Sequence, residues 1–329
     1  MDNAIIFNLQ RFFTVVENNL CFSLMPRIAL ILPTLNAARE ISGFLSALTH
    51  QTRQPNRFIV IDSSSDDDTV AQFSAAGAET IVIPRSEFNH GGTRMRAARH
   101  AAEDCEIVVF MTQDAILDSN TALADIVAVF DDDAVASAYG RQLPHHGATA
   151  IESFARHFSY PETSQHRSKA NIPTYGFRTS FCSNSFSAFR VQALMGVGGF
   201  PEKTIFGEDA ISVSELLLAG YTHSYVAEAT VRHSHPYTLD QEFRRYFDIG
   251  VMHAQNAQLI ENFGSPSGAG RAFVLGELWY LYNHAPARIP EACLRTVLKY
   301  TAYKIGRREN RLSLAWKKRL SMHKRYWIV

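Results

Sequence analysis

The sequence predicts an α/β protein, in which a mostly parallel sheet is flanked by helices, with a helical C-terminal extension. From Arg27 to about residue 130, four short apolar runs alternate with helical segments. Continuously apolar runs are typical of strands that are covered on both faces. Because strands joined by helices lie parallel, this order favours a doubly wound sheet. Helical periodicity returns at 208–219, at 239–262 and from about residue 270 onward.

The elements of the first half follow one another closely. The strands are expected at 28–32, 57–61, 80–83 and 107–111, and the helices at 37–50, 67–76, 93–103 and 119–130. After residue 139 the alternation ends, and residues 140–190 are rich in Ser, His, Arg, Pro and aromatic residues. That composition is more typical of a loop-rich substrate region than of a core. We expect a change of role near residue 140 within one compact unit.

The composition excludes several classes of protein. The formal net charge is +0, so nothing global indicates a nucleic-acid partner. The 4 cysteines are far apart and form no CxxC pair, so neither a zinc site nor a disulfide framework is indicated. A reduced cytosolic setting fits this pattern. No run approaches the ~18 apolar residues that a membrane span needs.

Residues 1–24 precede the first clear strand and make a poor signal peptide. Asp2, Arg11 and Glu17 interrupt their apolar clusters, and no basic start leads into an unbroken apolar stretch. Met25 lies just before the strand, so we expect residues 1–24 to be an appendage that begins at an upstream start codon. An extra helix packed on the domain is the alternative.

Polar clusters follow three of the predicted strands, at Pro33–Asn36, Asp62–Asp66 and Thr112–Ala115. The carboxyl ends of parallel strands meet at one edge of a sheet, which is where ligands bind in α/β proteins. Two further clusters lie downstream: Gly207–Asp209 opens a predicted helix, and His233–His235 follows a predicted strand. We expect these five clusters to converge on one site.

With these motifs the sequence resembles the family 2 glycosyltransferases, which have the GT-A fold. Within that family it resembles the dTDP-rhamnose-dependent rhamnosyltransferases of bacterial surface-polysaccharide (O-antigen type) assembly. The resemblance is sharpest in Phe88–Arg94 (FNHGGTR), in Thr112–Ala115 (TQDA), and in the spacing of Phe206–Asp209 to His233–His235.

The resemblance implies a division of the chain. A GT-A domain is expected at 25–262, with a nucleotide-binding half at 25–140 and an acceptor and catalytic half at 141–262. A basic helical region is expected at 263–329.

The resemblance also implies a site for the nucleotide sugar. Asp62 matches the acid that binds the base, since a carboxylate can accept the imide N–H of uracil or thymine. The alternative is a turn acid that caps the next helix. In Asn89–Arg94, the glycines allow close backbone approach, and the helix N-terminus favours phosphate. The residues expected to contact the nucleotide sugar are Pro33, Thr34, Asn36, Asp62, Asn89, His90, Gly91, Gly92, Arg94, Gln113 and Asp114.

A divalent cation, Mg²⁺ or Mn²⁺, is the expected cofactor. In GT-A enzymes the fourth strand usually ends in Asp-x-Asp, but here Thr112 replaces the first acid and only Asp114 remains. We therefore expect weaker metal binding, with metal independence as the alternative. His233 and His235 alternate on an extended segment and so face the same side, where both can approach one cation. Hydrogen-bonded core histidines are the alternative.

The acidic pair is the candidate catalytic group. The resemblance implies that Asp209 is the general base, with Glu208 as a helper or a contact to the acceptor. An inverting transfer needs a carboxylate within hydrogen-bond reach of the acceptor hydroxyl. Taken alone, two acids in the first turn of a helix are also what the helix dipole favours.

We therefore predict an inverting glycosyltransferase that moves L-rhamnose from dTDP-β-L-rhamnose to a glycan hydroxyl. The rival interpretations are the same chemistry with another donor, such as a UDP-hexose, and a catalytically silent sugar-nucleotide or glycan-binding protein. A nucleotidyltransferase is disfavoured because Leu32–Asn36 lacks a Gly-rich basic loop.

The last part of the chain is strongly basic. Lys and Arg recur from Arg295 onward, and Glu309 is the only acid among them. Basic helices that also carry Leu, Tyr, Trp and Ile bind anionic membrane surfaces without spanning them. We expect a cytoplasmic protein attached peripherally to the inner membrane, with a polyprenyl-diphosphate-linked glycan as acceptor. Contact in a homo-oligomer is the competing interpretation.

Overall fold

The computed structural model describes residues 25–264 and 267–328, so the appendage predicted at 1–24 lies outside the described residues. The strands are β1 (Ile28–Thr34), β2 (Arg57–Asp62), β3 (Glu79–Val82), β4 (Ile107–Met111), β5 (Ile116–Leu117), β6 (Val135–Leu143), β7 (Gln165–Arg167), β8 (Phe186–Arg190) and β9 (Thr222–Arg232). The helices are α1 (Ile41–Thr49), α2 (Thr69–Ala75), α3 (His90–Ala101), α4 (Ala122–Ala128), α5 (Ala150–Ser159), α6 (Ile172–Tyr175), α7 (Val191–Gly196), α8 (Glu208–Leu218), α9 (Leu239–Gln255), α10 (Ala257–Phe263), α11 (Ser267–His284), α12 (Ile289–Gly306) and α13 (Leu314–Leu320).

One mixed sheet organises these elements. Its strand order is β3-β2-β1-β4-β8-β6-β9-β5, and β7 pairs with β9. The pairings make β1, β2, β3, β4, β6 and β9 run in one direction, and β5, β7 and β8 in the other. The predicted α/β fold, with a mostly parallel sheet and a helical C-terminal region, is therefore confirmed. The three antiparallel strands were not predicted.

The sheet separates two apolar cores. Along β1, Ala29 and Ile31 face one core, whereas Ile28, Leu30 and Leu32 face the other. All five side chains are fully buried. This burial on both faces is why the strand reads as one continuous apolar run.

Residues 140–190 are more regular than predicted. They contain the end of β6 together with α5, β7 and β8, and β8 lies antiparallel between β4 and β6. The expectation of a loop-rich region was wrong. One local signal was available, because Thr149 and Glu152 form a capping box at the start of α5. The predicted division near residue 140 falls inside β6, so both predicted halves contribute to one sheet.

The FNHGGTR segment forms the start of a helix rather than a turn. α3 begins at His90, and the Asn89 side chain accepts a hydrogen bond from the Gly92 N–H. A Cβ placed on Gly91 would collide with the carbonyl group of Pro201. Gly91 therefore permits close packing of α3 against a neighbouring loop. The contact of this helix N-terminus with a phosphate stays a prediction.

A short antiparallel pairing places two strand ends side by side. β5 pairs with β9, with Ile116 opposite Arg232 and Leu117 opposite Val231. Ile116 lies two residues after Asp114, and Arg232 directly precedes His233. The pairing therefore brings the segment after β4 next to the segment after β9.

The C-terminal helices pack closely on the rest of the protein. A Cβ on Gly250, in α9, would collide with the Tyr303 carbonyl oxygen, and one on Gly306, in α12, with the Phe247 carbonyl oxygen. The two backbones thus touch without an intervening side chain. In the described part of the chain, no helix combines the length and the apolarity needed to cross a bilayer.

We predict that Gly306→Ala destabilises the protein, because the added methyl group would force α12 away from α9. Overpacking of this kind costs about 1–3 kcal/mol. A lowered midpoint of thermal unfolding would report it. Gly196→Ala is the matched control, since Gly196 also lies in a helix and a Cβ there meets no atom within 4 Å. Equal melting of Gly306→Ala and the wild type would contradict the close contact.

Candidate active site

A cavity of about 1680 Å³ lies where the strands β4 and β9 end. Two groups of predicted functional residues line it. The first is Asp114 with His233 and His235, and the second is the acidic pair at the start of α8. The predicted residues in its wall are His90, Arg94, Asp114, Glu208, Asp209, His233 and His235. The structure therefore brings the candidate metal ligands and the candidate base to one shared space.

Asp114, His233 and His235 form a compact triad. The Nε2 atom of His233 lies 3.5 Å from Oδ1 of Asp114, and Nε2 of His235 lies 3.7 Å from Oδ2. Each residue offers one ligand atom, and these atoms lie within 4.8 Å of one another. One carboxylate and two imidazoles are a donor set that suits Mn²⁺ better than Mg²⁺, which prefers oxygen ligands. The triad fits a divalent cation.

Gln142, which sequence reasoning missed, orients the first histidine. Its Oε1 lies 3.0 Å from Nδ1 of His233 and also accepts from Arg156 at 2.6 Å. Because Arg156 can only donate, the atom that it contacts must be the amide oxygen. His233 then donates its Nδ1–H to Gln142, which leaves Nε2 as the ring nitrogen that faces Asp114. No local pattern marks Gln142, since its role depends on the β6–β9 pairing.

The electrostatics of the triad favour the metal-binding protonation states. Burial opposes the charge on Asp114, but the hydrogen bond and charge of His233, with the charge of His235, hold the pKa of Asp114 well below its usual value. Burial and the neighbouring His233 lower the pKa of His235 to about 4. At neutral pH the carboxylate is therefore ionised and the His235 imidazole is neutral, as metal ligands must be.

The acidic pair opens α8. Gly207 precedes it with φ of 78°, in the left-handed region that favours glycine. Asp209 accepts hydrogen bonds from the N–H groups of Asn184 at 3.0 Å and Ala210 at 2.8 Å. Glu208 accepts from the side-chain amide of Asn184 at 2.9 Å. Asn184 thus contacts both acids and fixes their relative position.

Arg94 lies against Glu208 rather than free in the cavity. One guanidinium nitrogen lies 3.2 Å from Oε1 of Glu208, and both side chains are only 6% exposed. The same nitrogen donates to the His90 carbonyl oxygen at 3.0 Å. Arg94 therefore neutralises Glu208, and its expected contact with a phosphate stays a prediction.

The two acids have pKa values that are shifted in opposite directions. Burial disfavours the charge on Glu208, but Arg94, His90 and the Asn184 hydrogen bond together outweigh it, so the pKa of Glu208 falls below its ordinary value. Burial and the charge of Glu208 together raise the pKa of Asp209 to about 7. Such a carboxyl group exchanges protons near neutral pH, as a general base should.

The predicted base-binding acid, Asp62, is fully buried. Its carboxylate accepts from the Thr34 hydroxyl at 2.8 Å, from the Ser65 hydroxyl at 2.6 Å and from the Ser65 N–H at 2.7 Å. These bonds hold the ends of β1 and β2 together. The carboxylate has no exposed surface, so a direct contact of Asp62 with a nucleotide base requires these bonds to rearrange, and the contact stays a prediction.

Other predicted nucleotide contacts also bond to the protein itself. The Gln113 amide accepts from the Leu35 N–H at 2.9 Å and donates to the Leu35 carbonyl at 3.2 Å. The Asn36 side chain accepts from the Asp66 N–H at 2.8 Å. These bonds connect the ends of β1, β2 and β4. Asn36, Gln113 and the half-buried Pro33 lie outside the walls of the cavity. Their contact with a nucleotide stays a prediction.

A residue near the end of the described chain also lines the cavity. The Nδ1 atom of His323 lies 3.4 Å from Nε2 of His90, and the His323 ring packs against Phe206. Asp248 fixes it in place by accepting the N–H groups of Met322 at 2.9 Å and His323 at 3.1 Å. Sequence reasoning missed His323 because only tertiary packing brings it to the site.

Known proteins are similar to this chain in sequence and in fold. The family model described as Glycosyl transferase family 2 matches residues 29–198. The chain is 45% identical over 304 residues to the O-antigen chain rhamnosyltransferase WbaN of Salmonella anatum, and the alignment covers 92% of this chain and 96% of that protein. It is 42% identical over 302 residues to the O-antigen chain rhamnosyltransferase RfbN of Salmonella typhimurium strain LT2, with the same coverage of 92% and 96%.

Two solved structures resemble the fold. The mannosyltransferase PcManGT from Pyrobaculum calidifontis, in complex with GDP-Man and Mn²⁺, matches with a TM-score of 0.55 at 18% identity, over 93% of this chain and 86% of that one. S. aureus TarS 1–349, in complex with UDP, matches with a TM-score of 0.50 at 14% identity, over 87% and 91%. At these identities the likeness bears on the fold alone, and it agrees with the expected GT-A arrangement. From its sequence and its fold, the chain belongs to glycosyltransferase family 2.

Proposed function

We propose that this enzyme is an inverting rhamnosyltransferase that moves L-rhamnose from dTDP-β-L-rhamnose to a glycan hydroxyl in surface-polysaccharide assembly. The observation that carries the proposal is the shared cavity, in which Asp209 faces the same space as the triad of Asp114, His233 and His235. The identity of 45% to a protein named as an O-antigen chain rhamnosyltransferase supports the choice of donor.

In the proposed reaction the acceptor oxygen attacks the anomeric carbon of the donor, and Asp209 takes the hydroxyl proton. The bond between that carbon and the diphosphate oxygen breaks on the opposite face, and its electron pair leaves with the phosphate. The configuration at the anomeric carbon is therefore inverted. A divalent cation held by Asp114, His233 and His235 would neutralise the charge on the departing nucleoside diphosphate. Burial and the charge of Glu208 raise the pKa of Asp209 to about 7, close to neutral pH.

We place the nucleotide against the ends of β1, β2 and β4, beside the triad. The hydrogen bonds of Asp62, Asn36 and Gln113 rigidify this edge of the sheet. A preorganised surface of this kind lowers the free-energy cost of ordering a ligand. His90 and Arg94 line the other side of the cavity, next to Glu208.

We also propose that the enzyme docks on an anionic membrane through the outer faces of α11 and α12. Six large apolar side chains are exposed there: Leu275, Trp279, Tyr282, Leu294, Val297 and Tyr300. Their spacing of three and four residues places each set along one side of its helix. A basic amphipathic surface with exposed Trp, Tyr and Leu is typical of proteins that lie on the lipid interface.

The charge of this region favours a bilayer over a second copy of the chain. Among the described side chains of residues 268–328, the exposed charged residues are Arg271, Arg288, Lys304, Arg307, Arg308, Arg311, Arg319, Lys324 and Arg325. The acids of this segment, Glu277, Glu291 and Glu309, are buried or half-buried. Self-association through the C-terminal region would oppose like charges, whereas anionic lipids would neutralise them.

The catalytic cavity opens toward the same face. Tyr300, Lys304 and Arg308 line the cavity and are also exposed on the outside. An acceptor glycan anchored in the bilayer by a polyprenyl diphosphate would enter from that side. The membrane proposal and the lipid-linked acceptor therefore support one another.

Variants of the triad test the proposed metal site. Asp114→Asn removes the charged ligand of the triad, so we expect Mn²⁺ affinity, measured by electron paramagnetic resonance titration, to fall strongly. Gln142→Leu removes the partner of His233 and should lower the affinity by about 10–100-fold. Asp118→Asn is the control, because Asp118 pairs with Arg232 at 2.6 Å outside the triad. Unchanged Mn²⁺ binding by Asp114→Asn would place the metal elsewhere.

Nucleotide release tests the proposed reaction and its donor. With a bacterial membrane fraction as the source of acceptor, we expect nucleotide release from dTDP-rhamnose to exceed release from UDP-glucose or UDP-galactose. Asp209→Asn, which cannot take the proton, should lower the rate by about 10²–10⁴-fold. Unchanged melting and Mn²⁺ affinity would show that the variant is folded. Preference for a UDP-hexose would overturn the donor, and binding without turnover would indicate a silent binding protein.

The pH profile gives an independent check of the same base. Since Asp209 must be deprotonated to act and its pKa is raised to about 7, the rate should climb as the pH rises through 7. Glu208→Gln removes the neighbouring charge and should move this limb to lower pH. A limb that stays in place in Glu208→Gln contradicts the coupling of the two acids.

Vesicle flotation tests the proposed contact with the membrane. The wild type should float with vesicles of phosphatidylglycerol and phosphatidylcholine but not with phosphatidylcholine alone, and added salt should release it. Trp279→Glu combined with Val297→Glu should abolish flotation. Val82→Glu is the control, because Val82 is similarly exposed but lies on β3. If the double variant floats normally but loses a dimer seen by analytical ultracentrifugation, the face is an oligomer contact.

A further inference from the structure

The cavity extends beyond the catalytic groups into a lobe between α5, α9, α11 and α12. Phe158, Glu242, Phe273, Glu277 and Lys299 contribute to the wall of this lobe. Three of the four helices lie beyond residues 29–198, the part that matches the family model. Family membership therefore assigns no role to this lobe.

Glu277 is the unusual residue of the lobe. It is 1% exposed, and its Oε1 has no hydrogen-bond partner among the described residues. In the described part of the chain, the nearby cations pair with Glu242 instead, Lys299 at 3.0 Å and Arg295 at 2.7 Å. A buried polar atom without a partner costs free energy, so its presence in a cavity wall indicates a ligand that donates to it.

An aromatic surface lies beside this carboxyl group. The ring of Phe273 lies 5.2 Å from the rings of both Phe154 and Phe158, and the Lys299 ammonium lies 5.2 Å from the Phe273 ring. A sugar ring has an apolar face that packs on aromatic rings and hydroxyl groups that donate to carboxylates. The lobe offers both kinds of contact.

The charges next to Glu277 argue against an anionic ligand at this carboxyl group. The exposed cations of the wall, Arg271, Lys304 and Arg308, lie elsewhere along the cavity. Glu242 already binds the two nearby cations, and Glu277 adds a second carboxyl group. A phosphate would be repelled by the unpaired acid, whereas a neutral polyhydroxylated molecule would supply the hydrogen-bond donors that it lacks. The chemistry therefore favours a neutral sugar over a diphosphate.

We propose that this lobe is a subsite for a sugar of the acceptor glycan, in which Glu277 accepts hydroxyl hydrogen bonds and Phe273 packs on the sugar face. The subsite rests on the proposed function, since it requires a glycan acceptor. It lies in the same cavity as Asp209, so a glycan bound there has a continuous path to the base.

Saturation-transfer NMR with methyl α-glycosides of glucose, galactose, mannose and rhamnose tests the subsite. At least one glycoside should bind the wild-type enzyme in the presence of Mn²⁺ and dTDP, and Glu277→Leu should weaken its binding about tenfold or more, as for loss of a hydrogen bond to a charged group. Glu261→Gln, an exposed acid of α10 outside the cavity, is the matched control. Equal binding by Glu277→Leu and the wild type, or no glycoside binding at all, would overturn the proposal.

Thermal unfolding separates a ligand contact from a structural role. Because Glu277 lacks a partner, Glu277→Leu should melt at the same temperature as the wild type or higher, although it binds sugar less well. A lower melting temperature would indicate that Glu277 supports the fold instead. Release of dTDP from dTDP-rhamnose in the presence of the membrane acceptor fraction keeps the two proposals distinct. Donor turnover by an enzyme that ignores the glycosides refutes the subsite alone, whereas absence of any donor turnover refutes the proposed function.

Discussion

The buried ion pair between Arg94 and Glu208 determines the chemistry of the cavity. It joins α3 to the first turn of α8, and it keeps Glu208 ionised in a place where burial alone would neutralise it. That ionised group in turn makes Asp209 hold its proton more tightly. Removing one member of a buried pair leaves an uncompensated charge, at a cost of about 3–5 kcal/mol. Fold stability and reactivity therefore depend on the same contact.

The cavity contains two kinds of carboxyl group, and their surroundings separate them. Asp114 faces two imidazoles and stays ionised, which suits a metal ligand. Asp209 faces another acid and titrates near neutrality, which suits a proton acceptor. Opposite environments for neighbouring titratable groups are a common way to assign different tasks to one residue type. Thr112 offers no carboxylate at the end of β4, and His235 is the further donor that the triad contains instead.

The sequence was most informative where function depends on local order. Strands covered on both faces read as apolar runs, and a helix that opens with two acids was recognisable at Glu208. It was least informative where function depends on strand pairing or long-range packing. Gln142 acts across the β6–β9 ladder, and His323 reaches the site from the far end of the described chain. The burial of Asp62 was likewise invisible, because a strand-end acid reads the same whether it faces a ligand or the protein.

The contact between Gly250 and Gly306 has a consequence for engineering. The two backbones meet without side chains between them, so the surfaces of α9 and α12 are complementary only as a pair. A chimera that exchanges the C-terminal helices with those of a relative would pack a foreign helix against α9 at Gly250. Such an exchange requires that the incoming helix also carries a glycine at the position of Gly306.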